Sequence, residues 1–224
     1  MRLLAVTAVA AEARAVLRDL GPSKPLRLGP FDADVVGTVA GPVFVVAGGA
    51  GMACSATATA AALSAATFDA VLSLGIAGGF PGQAGVDDVV VADWIVAADL
   101  GAQTPAGFVD LEALDLGPSS YGVPAAAQIA ARLGARCGPV LTVATVTGTA
   151  ARAAELATRY GDPAAEAMEG WGVVVGSRWW GLPVYELRAV SNLVGPRDRA
   201  DWDVTGALAV LSKAAAMLFA ERLP

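Results

Sequence analysis

Four polar residues stand out because the chain around them is apolar. Glu169 follows Met168 within a segment that also holds Trp171 and Val173 to Val175; Arg188 lies in the apolar run 184–190, and Asn192 closes that run. A carboxylate buried in such surroundings needs donors. The two vicinal hydroxyls of a ribose would supply them, and so would an ion pair with Arg188. Asn192 could grip the edge of a base through its amide or simply begin the turn before Gly195-Pro196, and spacing does not separate the two. Glu12, a few residues beyond the first strand, is satisfied by the dipole of the helix it opens, or faces a ligand from the carboxyl-end rim of the sheet.

Two glycine runs lie on the same rim. Gly75-Ile76-Ala77-Gly78-Gly79-Phe80 leaves a buried strand, where open α/β sheets place their ligands. Glycines there give close backbone approach or merely turn the chain. Gly49-Ala50-Gly51-Met52-Ala53-Cys54 resembles a dinucleotide fingerprint, but Cys54 replaces the third glycine and Asp69 precedes the next strand instead of ending it. A nicotinamide site is therefore not expected.

Composition narrows the chemistry. There is no histidine, so acid–base work falls to carboxylates, Tyr or Lys. Cys54 and Cys137 form neither a metal pair nor a disulfide framework, and no metal or cofactor is expected. A net charge of −6 argues against nucleic acid, whose binding needs a basic face, and favours a small-molecule ligand. Hydrophobic residues make up 55% and charged residues 16% of the chain, against roughly 25% charged in an ordinary soluble domain. That excess implies a thick core or a subunit interface.

The apolar N-terminus is interrupted by Thr7 and followed by Glu12, which suits a buried strand better than a signal peptide. The uncharged stretch from Val35 to Phe68 is broken by glycines and too rich in Ala, Ser and Thr to span a membrane. A cytoplasmic protein of one domain, 1–224, is expected.

These candidate residues require strands and helices that bring them to one rim. Strands are expected at Leu3 to Ala8, Asp34 to Val39, Val43 to Ala47, Val71 to Leu74, Val86 to Val96, Val140 to Val146 and Val184 to Val190. Helices are expected at Ala11 to Leu20, Met52 to Ala66, Tyr121 to Leu133, Ala150 to Tyr160, Met168 to Trp180 and, capped by Asp203, on to Leu223. The stretch from Ala97 to Ser120 reads as a long loop or cap, which in a compact domain is usually functional. Alternating strands and helices with one early hairpin predict a three-layer αβα sandwich around a mixed sheet.

The ordered set Glu12, Gly75-Ile76-Ala77-Gly78-Gly79, Thr147-Gly148-Thr149, Met168-Glu169-Gly170 and Arg188-Ala189-Val190-Ser191-Asn192 resembles the nucleoside phosphorylase and nucleosidase superfamily over nearly the whole chain. The resemblance implies that Met168 and Glu169 hold a ribose. It implies that Glu12 and Arg188 place and activate the nucleophile, that Ile76, Gly78 and Phe80 line the substrate site, and that the assembly is at least a homodimer.

Two departures refine it. Leu74 and Ile76 stand where phosphorylases carry the Arg and Ser that hold phosphate, which points to water as nucleophile. Asn192 stands where adenine nucleosidases carry Asp, and an amide NH2 suits the two acceptors, O6 and N7, of a 6-oxopurine. Together these resemble the futalosine hydrolase family of menaquinone biosynthesis, whose substrate is a hypoxanthine nucleoside with a carboxyphenyl ketone on its 5′ side. Asp198 is then the reserve donor to the leaving base, and Arg197 and Arg199 are candidates for the substrate carboxylate. The aromatic that stacks on the base after Thr-Gly-Thr is missing, and Phe80, Trp171 or a residue of the long loop is its replacement.

Overall fold

The computed structural model describes residues 1–224, with the side chain of Arg199 excepted. In chain order the elements are β1 (Leu3–Thr7), α1 (Ala10–Arg18), β2 (Lys24–Leu28), β3 (Phe31–Thr38), β4 (Gly41–Ala47), α2 (Met52–Ala65), β5 (Ala70–Gly79) and β6 (Val89–Ala97). There follow β7 (Gly101–Thr104), β8 (Gly107–Asp110), β9 (Ser120–Gly122), α3 (Ala126–Leu133), β10 (Arg136–Thr142), α4 (Ala150–Tyr160), β11 (Ala165–Ala167), α5 (Gly170–Ser177), β12 (Val184–Leu193) and α6 (Val204–Phe219).

The main sheet runs β11-β10-β6-β12-β5-β1-β4-β3-β2. β1, β4, β5 and β12 run parallel to their neighbours in this series, so their carboxyl ends share one rim. β3 and β2 fold back antiparallel to make the sheet mixed, as the early hairpin predicts; the turn between β3 and β4 falls at Val39-Ala40, and Gly41-Pro42 already belongs to β4. At the other end β11 pairs with β10 and also, antiparallel, with Gly78 and Gly79 of β5. Five strands thus close into a ring, while β2 remains as the open end of the order. Helices α1 and α3 each pack on α6, and α2 packs against α5. The result is the expected αβα arrangement, with a core of Leu, Val and Ala from β1, β4, β5, β10 and β12.

The last helix follows the sequence pattern closely. Asp203 accepts from the Gly206 N–H at 2.7 Å as its N-cap, and Leu211, Ala215, Leu218 and Phe219 are buried. Elsewhere the structure departs from expectation for identifiable reasons. β5 does not stop at Leu74 but continues through the glycine run, because β12 pairs alongside it as far as Leu193 opposite Gly79. The glycines serve close approach here: a Cβ on Gly79 would overlap the Ala84 carbonyl. The stretch 97–120 is not a bare loop, since β7 and β8 form a hairpin whose four-residue strands are too short and polar to show a period. Residues 120–122 pair with β6, so α3 begins only at Ala126, and β10 starts earlier and ends earlier than its apolar run suggests. The edge strand β2, Lys-Pro-Leu-Arg-Leu, gave no strand signal because three of its five residues are charged or proline.

Candidate active site

Arg188 is the centre of the site and has no exposed surface. It points inward from β12 and every edge of its guanidinium is engaged. Nε donates to Glu186 Oε1 at 2.8 Å, Nη2 to Ser73 Oγ at 2.7 Å, and Nη1 to Glu169 Oε2 at 3.3 Å. Burial alone would lower the basicity of the guanidinium, but Glu186, Glu169 and Glu12 together outweigh that effect and hold it above its usual range. Strand register explains the neighbours: Glu186 lies level with Ser73, and Arg188 with Gly75.

Glu12 reaches the same place from the other side of β5. The pairing of β1 with β5 ends at Val6 opposite Ser73. Beyond that point the Ile76 N–H donates to Glu12 Oε1 at 2.9 Å, in place of a strand partner. Glu12 Oε2 accepts from the N–H groups of Ala8 at 2.9 Å and Val9 at 3.1 Å, which caps α1. The helix-start role and the site role therefore coexist. A carboxylate offers about four lone-pair positions, and three are taken. The free position is on Oε1, the oxygen beside the arginine: a Cβ on Gly75 would lie 2.6 Å from both Oε1 and Arg188 Nη1.

Glu169 is buried at the start of α5, which opens at Gly170 and not at Met168. Its Oε1 accepts from the Gly51 N–H at 3.0 Å, and its Oε2 accepts from Arg188 and, at 3.3 Å, from the Met168 N–H. Both alternatives drawn from the sequence are thus partly present, an ion pair with Arg188 and one oxygen with spare acceptor capacity. The second glycine run gains a use here through Gly51. This contact depends on α2 and α5 crossing closely: a Cβ on Gly172 would overlap Ser55 and the Met52 carbonyl, and one on Gly176 would come within 2.7 Å of Thr59 Cβ. The small residues of α2 therefore serve a helix crossing.

Ile76, Gly78, Met168 and Asn192 are half-buried; Ile76 and Met168 bond to these carboxylates through their backbone N–H groups, while Gly78 lies beside Asn192 and Val194. The Asn192 carbonyl accepts from Ser191 Oγ at 2.9 Å and its amide donates to the Leu193 carbonyl at 3.1 Å, leaving one amide hydrogen over. A cavity of about 210 Å³ is bounded by Asn192, Asp198, Asp201, Trp202 and Val86. Phe80 is buried and lines an apolar cavity of about 290 Å³ with Val194, Ala150 and Ala153. Glu12, Glu169 and Arg188 do not border that cavity, which begins one residue past the glycine run. The Trp171 side chain is buried in the core, which removes it as a stacking surface, and its backbone N–H donates to Thr142 Oγ1 at 2.9 Å. The Arg197 guanidinium stacks 5.0 Å from the Trp202 ring centre; the Arg199 side chain lies outside the described residues.

The structure adds three groups that the sequence reading passed over. Glu186 and Ser73 anchor Arg188, and Glu166 accepts from the Thr147 N–H at 2.7 Å, tying down the loop before α4. The signal for Glu186 was its place two residues before Arg188, on the same face of a strand.

The chain matches the Phosphorylase superfamily over residues 5–223. It is 50% identical over 181 residues to a futalosine hydrolase of Streptomyces coelicolor, covering 78% of this chain and 77% of that one. It is 44% identical to a futalosine hydrolase of Acidothermus cellulolyticus, covering 97% of this chain and 90% of that one. The native structure of a futalosine hydrolase from Helicobacter pylori superposes with a TM-score of 0.84 at 17% identity over 97% of both chains, a likeness of fold. The chain belongs to the phosphorylase superfamily and, within it, to the futalosine hydrolase family.

Proposed function

We propose that this chain, acting as a single domain, is a nucleosidase that hydrolyses the N-glycosidic bond of futalosine. Water attacks C1′ as the bond from C1′ to the base nitrogen breaks; one water proton passes to Glu12, the hydroxyl remains on C1′, and the base leaves as hypoxanthine. The sugar product is dehypoxanthine futalosine, which serves menaquinone biosynthesis. The transition state carries positive charge on the ring, as in glycoside hydrolysis generally, and the buried carboxylates favour it.

The observation that carries this reading is the convergence of Glu12 Oε1, with one acceptor position open, and Arg188 Nη1 on the two sides of Gly75. Glu12 takes the proton of the water, and Arg188 helps to place that water. Glu169 Oε1 and the backbone at Met168 hold the ribose hydroxyls. Ile76 and Gly78 form the floor under the nucleoside, Phe80 closes it on the apolar side, and Asn192 donates its remaining amide hydrogen to the purine. Asp198, which shares a cavity with Asn192, is the reserve donor of the proton that an amide cannot give.

The enzyme works without metal or cofactor, in the cytoplasm, as at least a homodimer. Among the described residues no helix is long and apolar enough to cross a membrane. The test is to incubate the protein with futalosine, inosine and methylthioadenosine, each with and without phosphate, and to follow the free base. Hypoxanthine from futalosine, independent of phosphate, is the expected result. Adenine release would overturn the role of Asn192, and dependence on phosphate would make the chain a phosphorylase.

A further inference from the structure

β12 carries a carboxylate, Glu186, for which the mechanism has no use. Glu186 is 1% exposed, and only one of its oxygens is hydrogen-bonded, to Arg188 Nε. The other, Oε2, is buried with no partner and is directed at Gly170, where a Cβ would overlap the carboxylate. Gly170 immediately follows Glu169 and is the first residue of α5. Glu186 is thus wedged between the guanidinium and the start of the helix that presents the ribose carboxylate, and an absent side chain at position 170 makes room for it.

The geometry fixes what the wedge does. An arginine side chain with three edges can rotate about its long axis unless more than one edge is held. Ser73 holds Nη2 and Glu186 holds Nε, and with both in place Nη1 is left facing Glu169, beside Glu12. Taking Glu12 and Glu169 as the groups that bind water and ribose, we propose that Glu186 is a positioning residue for the hydrolytic site, aiming Arg188 Nη1 between those two carboxylates through the bond to Nε. Burial pushes the Glu186 carboxyl up against the opposing charge and hydrogen bond of Arg188, with Glu169 adding to the rise. What Arg188 Nε takes from this position is an acceptor oxygen at 2.8 Å, which a glutamine amide also offers.

Substitutions at Glu186 and Gly170 test this. Glu186→Gln keeps an acceptor for Nε and is expected to keep kcat and KM for futalosine close to the parent's. Glu186→Leu leaves Nε without an acceptor and is expected to lose roughly 100-fold in kcat/KM, the scale of a misplacement of about 1 Å. Gly170→Ala displaces the carboxylate without altering it, and its loss should largely vanish in a Glu186→Ala background, since neighbours in contact are not additive. If Glu186 were merely structural, Leu and Gln would lower thermal stability while the folded enzyme kept its constants. The Arg188 Nε–H resonance in arginine-labelled protein gives a reading that does not need turnover: it should move in the Leu variant and stay in the Gln variant. A parent that releases no base overturns the proposed function alone, whereas an Nε–H resonance unmoved by Leu, or independent losses from Gly170→Ala and Glu186→Ala, overturns the positioning role.

Discussion

Glu12→Gln separates the two tasks of the early carboxylate. In the parent, Oε2 accepts two backbone N–H groups and Oε1 accepts one. Glutamine has a single oxygen, and its best orientation keeps that oxygen at Ala8 and Val9. The amide NH2 then faces the Ile76 N–H, which is left without an acceptor. An orphaned buried donor costs about 1–3 kcal/mol, and for a chain of this size each kcal/mol lowers Tm by about 2–4 °C. The variant should therefore melt a few degrees early but stay folded at assay temperature. It can no longer take a proton from water, so kcat should fall by roughly 10²- to 10⁴-fold, or about 2.7–5.5 kcal/mol of barrier. The folding cost is read from the melt and the barrier from the rate of the folded enzyme, so the two effects are separable. Hypoxanthine release gives the rate, calorimetric titration with a non-hydrolysable nucleoside gives binding, and a thermal melt gives stability. Binding should be largely retained. A Gln variant whose kcat stays within about tenfold of the parent's, a barrier change of about 1.4 kcal/mol, would refute Glu12 as the base.

Further outcomes follow from the packing around the site. Gly75→Ala must force apart Arg188 Nη1 and Glu12 Oε1, each 2.6 Å from the new Cβ; overpacking of this kind costs about 1–3 kcal/mol, and kcat/KM should fall far more than Tm. Gly176→Ala would gain about 1 kcal/mol of helix propensity but meets Thr59 Cβ at 2.7 Å and the Ala56 carbonyl at 2.8 Å. The clash should win, with a lower Tm and a higher KM as Gly51 retreats from Glu169, and a stabilised variant would contradict the tight crossing. Glu166 gives a pH signature. Burial pushes its carboxyl up, against the hydrogen bonds from Thr147 and the charge of Arg152, with Asp99 adding to the rise. A raised folded value means that its contribution to stability is present below the ordinary value near 4.5 and is lost as pH climbs through the raised one. The stability of the parent relative to Glu166→Gln should therefore fall with rising pH across that window and then level off; a rise would contradict the assignment.

Much of the site was legible because its residues break an apolar background in a fixed order. Glu12, Glu169, Arg188 and Asn192 each stand out in that way. What they touch was not legible, because it depends on register. Whether Arg188 lies level with Gly75, and whether β5 outruns β1 so that Ile76 needs Glu12, is decided by pairings between strands more than a hundred residues apart or by where one strand ends. Glu186 hid for the opposite reason: inside Val-Tyr-Glu-Leu-Arg it reads as a polar interruption until its partner on the same face is known. The hairpin at 101–110 was invisible because four-residue strands carry no usable period.

The closed ring of strands has a consequence for the life of the protein at high concentration. Strands in a ring offer no row of free N–H and C=O groups to another chain, so recruitment of a foreign strand is directed to the opposite end of the sheet, at β2. That strand is defended by its own composition. Pro25 removes a donor, and exposed Lys24 and Arg27 make a second copy approach against like charge.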